Sequence, residues 1–457
     1  MKILLATPPS NALTVTPPIG LGYLVSVLRE NGYDAGILDA QKESLDTERV
    51  LEKISKINPD VLGVSILTSN YANAKKIVKE AKKLIPRTKI VVGGPHPSAL
   101  PVATLKEVPA DFLIRGEGEY SFLDLVNFLA GGKGDPSHIE NLCFSENGEI
   151  KTKPCTIQVK DLDKIPPPAW DLIEPRQYPV NPHQFFFKKH PIAPVVTTRG
   201  CPFRCTFCSA SFLAGENLRM RSPEKVVDEI ELLATRHGVK EIHFEDDNFT
   251  LVRKHAESIC KKIIERKIKI VWQCPNGIRV DTIDRDLVRL MKKSGCYRLS
   301  FGIESGSQEI LDRANKKLDL KKVPGAIKTV KDEGIEVQAF FILGLPGETK
   351  ETALKTMNLI KELPIDFLDI SLLTYLPGSR LFNERFKSNE YDSIKWDEFN
   401  YFTAQPTETL SAKELKGLQK TLLRKFYLNP RTVFYMLRSL KPRQIPLVFK
   451  IALKYFV

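Results

Sequence analysis

The chain has 457 residues, 42% of them hydrophobic and 27% charged, a composition ordinary for a globular protein and a length that exceeds one domain. Its eight cysteines are too sparse for a disulfide scaffold, and no apolar run nears the roughly 18 residues that cross a bilayer. The net charge of +13 is uneven: residues 411–457 carry +10 of it, so charge alone makes no polyanion-binding surface of the main body.

In chain order, residues 1–130 alternate strand and helix. "KILLAT", "DAGILDA", "DVLGVSIL", "KIVVGG" and "DFLIRG" read as strands, with helices over "GLGYLVSVLRENG", "DTERVLEKISKI" and "YANAKKIVKEAKKLI" and another from Ser121. Such alternation predicts a doubly wound, Rossmann-like parallel sheet. Nothing in "MKILLATPPS" resembles an export signal, which predicts a cytoplasmic protein. Residues 131–190 are rich in Pro and Gly and read as a linker that also packs between domains.

A second alternation fills residues 191–380, with strands at "PVVTT", "EIHFED", "IVWQCP", "YRLSFGIE", "EVQAFFILG" and "DFLDISLLTY". Six strand–helix units are too few for an eight-unit barrel, so a partial (β/α)6 barrel is expected. Residues 381–457 form a basic, aromatic-rich helical region. Lys450 and Lys454 share one helical face there, with Phe449, Leu453 and Phe456 elsewhere on the helix. Such an end suits either a helical cap over the barrel or contact with an anionic membrane surface.

The stretch "RGCPFRCTFCSAS" places Cys201, Cys205 and Cys208 within eight residues, just after the first barrel strand. Thiolates bind soft metals and iron–sulfur clusters. Zinc would want a fourth ligand, and Cys143, Cys155, Cys260, Cys274 and Cys296 are scattered singly. Three ligands on a cubane leave one iron open.

With Phe207 before the last cysteine, this spacing resembles the signature of radical S-adenosylmethionine (SAM) enzymes. The resemblance covers roughly residues 190–380. It implies that Cys201, Cys205 and Cys208 hold a 4Fe–4S cluster whose open iron chelates SAM. The cofactor pair then yields a 5′-deoxyadenosyl radical. It further implies carboxylates at Glu245, Asp246 and Asp247 for the SAM ammonium, ribose contacts at Glu304 and Ser305, and backbone approach to the adenine near Gly344 and Gly347. Arg279 and Arg221 are candidate carboxylate partners, with a plain surface role as the alternative for each.

The N-terminal segment resembles cobalamin-binding domains with a DxHxxG, SxL, GG pattern. Ser65-Ile66-Leu67 fits SxL and Gly93-Gly94 fits GG, while "PPIGLG" at 17–22 occupies the first motif. Ile19 stands where the cobalt-ligating His would be and Pro17 where the Asp would be. The resemblance implies either cobalamin held without a protein lower ligand or a domain that has lost it. His96, in the following loop, reads either as close to that cofactor or as a satisfied loop histidine.

Together these resemblances imply a radical SAM enzyme, with cobalamin-dependent C-methylation of an unactivated carbon as the leading reaction. Its substrate would be a small or lipid-like molecule and its electron donor a flavodoxin or ferredoxin. No nucleic-acid partner is expected, and a peripheral contact at the inner face of the membrane would run through the basic tail. A non-methylating oxidoreductase, cyclase or C–C bond-forming enzyme of the same architecture is the alternative, and a non-catalytic cobalamin-binding module a further one. Methylthiolation is disfavoured because residues 1–142 contain no cysteine for a second cluster.

Overall fold

The computed structural model describes the chain except residues 11–14, 133, 154–157, 180–186, 397, 398, 400–402, 431 and 434–457. The lysines and aromatics singled out in the basic tail, and Cys155, lie outside the described residues. Among the described residues no helix is long and apolar enough to cross a membrane. The chain divides into two compact units. One comprises residues 1–179, 208–219 and 375–400, the other 180–207, 220–374 and 401–457.

The first unit is built on a seven-stranded sheet: β1 Lys2–Thr7, β2 Asp34–Asp39, β3 Val61–Ser65, β4 Lys89–Gly93, β5 Phe112–Ile114, β6 Leu142–Glu146 and β7 Glu149–Lys151. The order is β2-β1-β3-β4-β5-β6-β7, parallel through β5 and antiparallel beyond it. β1 is buried at four consecutive positions, Ile3 to Ala6, as a strand covered on both faces requires. Local signals set the helices. Asp46 caps helix Thr47–Ile57 by accepting from Arg49 N at 2.9 Å, and Asn58 closes it in the left-handed region at φ 45°.

Residues expected as linker extend this sheet. β6 and β7 form a hairpin whose turn, Asn147-Gly148, has both φ angles positive, at 52° and 81°. Residues 375–400 also join the first unit. Phe382, Trp396 and Phe399 enter the cluster formed by Ile66, Tyr71, Ile77 and Val92.

The second unit is a six-stranded, all-parallel sheet: β8 Ile192–Val195, β9 Glu241–Phe244, β10 Val271–Ile278, β11 Cys296–Glu304, β12 Glu336–Leu343 and β13 Phe367–Leu372. Its order follows the sequence from β8 to β13, which leaves those two strands as edges of an open barrel. The helices between strands are capped by their own sequences. Ser222 accepts from Lys225 N ahead of helix Pro223–Thr235, and Asp284 accepts from Leu287 N at 3.0 Å ahead of helix Arg285–Lys293.

Helix Ala412–Tyr427 covers the β13 edge. Gln419 Nε2 donates to Ile370 O at 2.6 Å, and the Tyr427 hydroxyl donates to Leu368 O at 2.6 Å and accepts from Leu368 N at 3.1 Å. Side chains thus take backbone groups that a further strand would have paired. At the N-terminal ends of the strands, buried Glu241 accepts from Tyr297 Oη at 2.6 Å and from the Lys188 and Lys189 amides at 2.8 and 2.5 Å.

Candidate functional site

In the second unit the chemistry gathers at the C-terminal ends of the strands, where open and closed α/β barrels place their sites. β8 ends at Val195, and the chain turns through Thr197 and Thr198 into the cysteine loop. Asp246, at the end of β9, fixes that turn. Its carboxylate accepts from the Thr197 amide at 3.2 Å and hydroxyl at 2.8 Å, and from the Thr198 amide at 2.5 Å and hydroxyl at 2.6 Å. Burial pushes its pKa up to about 6, with these hydrogen bonds pulling the other way. Asp246 therefore acts on the loop rather than offering an open carboxylate. Its neighbour Glu245 is half-buried and Asp247 exposed. Asp247 is near enough to act on Cys201, where burial first and then its negative charge raise the thiol pKa.

Cys201, Cys205 and Cys208 are in no disulfide and half-buried, and Phe207 is half-buried beside them in sequence. The Ala210 amide donates to Cys208 Sγ at 3.4 Å. Burial raises the Cys205 thiol pKa while the Lys316 ammonium lowers it. Among the described residues no three His, Cys, Asp or Glu side chains meet around a single metal-ion position. A cubane gives each thiolate its own iron, so its three sulfurs need not meet at a point. The cationic surroundings of Cys205 fit such an anionic group.

Arg279 is bound to the protein. Its guanidinium makes a bidentate pair with Asp281 at 2.9 and 2.7 Å, donates to the Lys316 and Lys317 carbonyls at 2.8 and 2.5 Å, and lies 4.0 Å over the Phe203 ring. Arg221 is likewise held, by Glu229 at 2.6 Å and the Val196 carbonyl at 3.0 Å.

Glu304 ends β11 at a φ of 68° and pairs with Lys316 at 2.7 Å. Ser305 is fully buried; its hydroxyl accepts from the Ser307 amide at 3.2 Å. Gly344 follows β12, and its amide donates to the buried Glu348 carboxylate. Gly347 lies in the same turn, at a φ of 78°.

The first unit offers a different edge. Its strand order reverses at β1, the switch point beside which open α/β sheets bind ligands. Ser65 ends β3 in register with Gly93 at the end of β4. Gly94 has φ 101°, and a Cβ there would stand 2.8 Å from the Ile66 carbonyl oxygen, so only glycine lets the two loops touch. Leu67 is 43% exposed at this edge, an apolar side chain offered to whatever binds there. Ile19 is the first residue of helix Ile19–Glu30 and is half-buried.

His96 lies inside the fold. It is 1% exposed, its ring is 4.3 Å from Tyr71 and 4.7 Å from Trp396, and Nδ1 is 3.2 Å from Thr68 Oγ1. Desolvation lowers its pKa to about 3. These groups fit a flat ligand with an apolar face that takes no nitrogen ligand from Ile19 or from the engaged His96.

Sequence reasoning missed Lys316, Glu348 and Trp396. The first two leave no spacing signal, because each owes its place to the fold of a turn. Trp396 was hidden by its distance in sequence from the sheet it covers.

Comparison with known proteins agrees with both units. Residues 195–360 match the Radical SAM superfamily model and residues 10–126 the B12 binding domain model. The chain is 35% identical to an uncharacterized methyltransferase of Pyrococcus horikoshii over 95% of this chain and 94% of that one. It is 30% identical to an anaerobic magnesium-protoporphyrin IX monomethyl ester cyclase of Rubrivivax gelatinosus, over 94% and 77% of the two chains. Its fold matches the radical SAM methyltransferase TsrM of Kitasatospora setae, solved with cobalamin and a [4Fe–4S] cluster, with TM-score 0.71 at 20% identity over 84% and 78% of the two chains. The cysteine loop on an open parallel barrel, the B12-type sheet ahead of it and the full-length relative together place the chain in the radical SAM superfamily, in its cobalamin-dependent methyltransferase family.

Proposed function

We propose that the protein transfers a methyl group from SAM to an unactivated carbon of a small, lipid-like or tetrapyrrole-sized molecule. The observation that carries this reading is the cysteine loop, fixed at the C-terminal end of β8 by Asp246 and surrounded by Lys316 and Arg279. When bound, the 4Fe–4S cluster with SAM supplies a 5′-deoxyadenosyl radical and the corrinoid supplies the methyl group.

The chain's own residues do the rest. Cys201, Cys205 and Cys208 would hold the cluster through their sulfurs; at Cys205 burial raises the thiol pKa, and the Lys316 and Arg279 cations act against that rise. Asp246 orients the loop by fixing Thr197 and Thr198. Glu245 and Asp247 offer carboxylates to the SAM ammonium, Glu304 stands at the ribose position, and the turn at Gly344 and Gly347 admits the adenine. Ser65, Gly93, Gly94 and Leu67 would hold the corrinoid, and neither Ile19 nor the engaged His96 would offer it an imidazole. In chemical role, residues 1–130 bind the corrinoid and 191–380 generate the radical, while 131–190, whose β6 and β7 extend the first sheet, form the connection, and 381–457 begin with aromatics packed in the first unit and end in the basic stretch. A flavodoxin- or ferredoxin-like protein donates the electron.

The test is anaerobic purification with cobalamin supplied, then incubation with methyl-labelled SAM and candidate substrates. Bound corrinoid and label in the product are expected. A product that keeps all its own carbons and gains no label overturns methyl transfer. It would favour the second reading, oxidative cyclisation, which the 30% identity to the Rubrivivax gelatinosus cyclase over 77% of that chain supports.

A further inference from the structure

The turn at residues 314–317 grips the cysteine loop. The Thr206 amide donates to the Ala314 carbonyl at 3.0 Å. Asn315 Nδ2 donates to the Arg204 carbonyl at 2.7 Å. Arg279 ties the carbonyls of Lys316 and Lys317 to the face of Phe203, which sits between Cys201 and Cys205 in sequence. Four residues of turn thus hold the loop at three places.

Inside this grip lies a buried ion pair. Lys316 Nζ donates to Glu304 Oε1 at 2.7 Å, and the two side chains are only 11% and 9% exposed. Gly302 makes room for it, since a Cβ there would stand 2.5 Å from Glu304 Oε1 and 3.0 Å from Lys316 Nζ. Burying two charges costs more desolvation than a stable fold gains from the pair, so the pair itself is weak grounds for stability.

The thiolates supply another reason. Cys205 lies between Arg204 and Thr206, both bonded to the turn that carries Lys316, so the turn sets the Lys316 charge beside that sulfur, with Arg279 acting in the same sense and Glu304 against them. Lys316 acts on Cys201 in the same direction. A cluster on three thiolates is anionic, and one-electron reduction adds a further negative charge in a medium of low dielectric. A fixed cation nearby favours that reduced state.

We propose that Lys316, held by Glu304 and the 314–317 turn, is a positioning residue that raises the reduction potential of the cluster on Cys201, Cys205 and Cys208. The inference rests on the cluster reading above. The redox step is a single electron passing from an added reductant to the oxidised cluster, with no bond made or broken at Lys316. Glu304 opposes the cation and keeps it in place, so the two residues push the potential in opposite directions.

The test is an EPR-monitored redox titration of the full chain, reconstituted anaerobically and free of SAM. Lys316→Met lowers the ratio of reduced to oxidised cluster at a fixed potential at least tenfold, about 59 mV for a one-electron couple. Lys316→Arg keeps the wild-type value, Glu304→Gln shifts it upward, and the Lys316→Met/Glu304→Gln double variant returns toward wild type. If Lys316→Met loads poorly, the opposite shift of Glu304→Gln still decides. Unchanged potentials in fully loaded variants, or shifts of the same sign in both, overturn the inference and leave the cluster reading intact. A potential that stays fixed while SAM affinity falls makes Lys316 a ligand contact and also overturns it. A wild-type chain that takes up no iron and sulfide overturns both.

Discussion

The indole of Trp396 stands edge-on to the His96 imidazole, with ring centroids 4.7 Å apart and planes at 87°. Tyr71 lies 4.3 Å from the imidazole and 6.0 Å from Trp396, so the three rings form a triangle, and Phe399 and Phe382 pack on Trp396 at 5.2 and 6.3 Å. Residues distant in sequence thereby cover the end of β4 in the first unit. Trp396→Ala removes the ring at the centre of this cluster, and such truncations cost about 3–5 kcal/mol. Proteolysis of the first unit and loss of hydrogen-exchange protection in β4 are the expected readouts. Trp396→Phe retains most of the protection.

His96 makes the same cluster sensitive to acid. Its pKa falls from 6.5 to about 3 through burial, so the folded state prefers the neutral ring. The unfolded chain binds the proton first. The stability that follows is fully present above about pH 6.5 and is lost as the pH falls toward 3. At about 1.36 kcal/mol per pH unit the full loss is roughly 4–5 kcal/mol. His96→Phe should flatten this acid limb in denaturant titrations run between about pH 7 and pH 4. A variant with the wild-type slope would place the acid sensitivity elsewhere.

The cysteine loop was legible because thiolate chemistry depends on spacing, and spacing survives in a sequence. The two parallel sheets were legible from alternating β-branched and amphipathic runs. The β6–β7 hairpin was not, although Asn147-Gly148 is a strong turn signal, because the surrounding Pro and Gly drew the whole segment into a linker. Asp246 was legible as an acid at a strand end, but the direction of its carboxylate was not. Four donors from Thr197 and Thr198 claim it only once β8 and β9 lie side by side. Lys316 is the same lesson in reverse. Its basic neighbours in "RANKK" suggest a solvated turn, and only the folded turn, bonded to the cysteine loop and facing Glu304, brings it inside.

Asp246→Ala leaves those four donors without their acceptor, at about 1–3 kcal/mol for each buried group left unpaired. The loop loosens before the sheet does. Iron and sulfide content per chain should fall severalfold while far-ultraviolet circular dichroism stays near wild type. Asp246→Asn keeps one oxygen in place and should recover most of the cluster. Equal loading of the Ala variant and wild type would remove Asp246 from loop positioning.

Glu348 predicts a pH effect of the opposite sign. It is fully buried in the turn after β12; its Oε2 caps the Gly344 amide, and its Oε1 has no hydrogen-bond partner among the described residues. Burial raises its pKa from 4.5 to about 7. Because the folded value lies above the unfolded one, the stabilisation is complete below about pH 4.5 and is lost as the pH rises through about 7. The ionised carboxylate then costs roughly 3 kcal/mol at about 1.36 kcal/mol per pH unit. Glu348→Gln keeps an acceptor for Gly344 and carries no charge. It should match wild type at about pH 5 and exceed it by about 2–3 kcal/mol at about pH 8.5, read from denaturant midpoints. A wild-type decline that persists in the variant would mean another group governs it.

The β13 edge gives the last prediction. Tyr427 satisfies both the amide and the carbonyl of Leu368 through one hydroxyl, and Gln419 takes the Ile370 carbonyl. Tyr427→Phe removes two of these bonds without removing the ring, and a buried backbone pair left open costs about 1–3 kcal/mol. The larger effect is on association, since an uncovered parallel strand rich in Phe, Leu and Ile is a template for another chain. The Tyr427→Phe/Gln419→Ala double variant should therefore form oligomers on mild heating, seen by light scattering, at temperatures where wild type stays dispersed. The Tyr427→Phe/Gln419→Glu double variant should do so less, because a charge left beside the opened edge repels a second copy. If the Tyr427→Phe/Gln419→Ala variant stays as dispersed as wild type, the helix covers the edge by apolar packing alone and its polar groups are incidental.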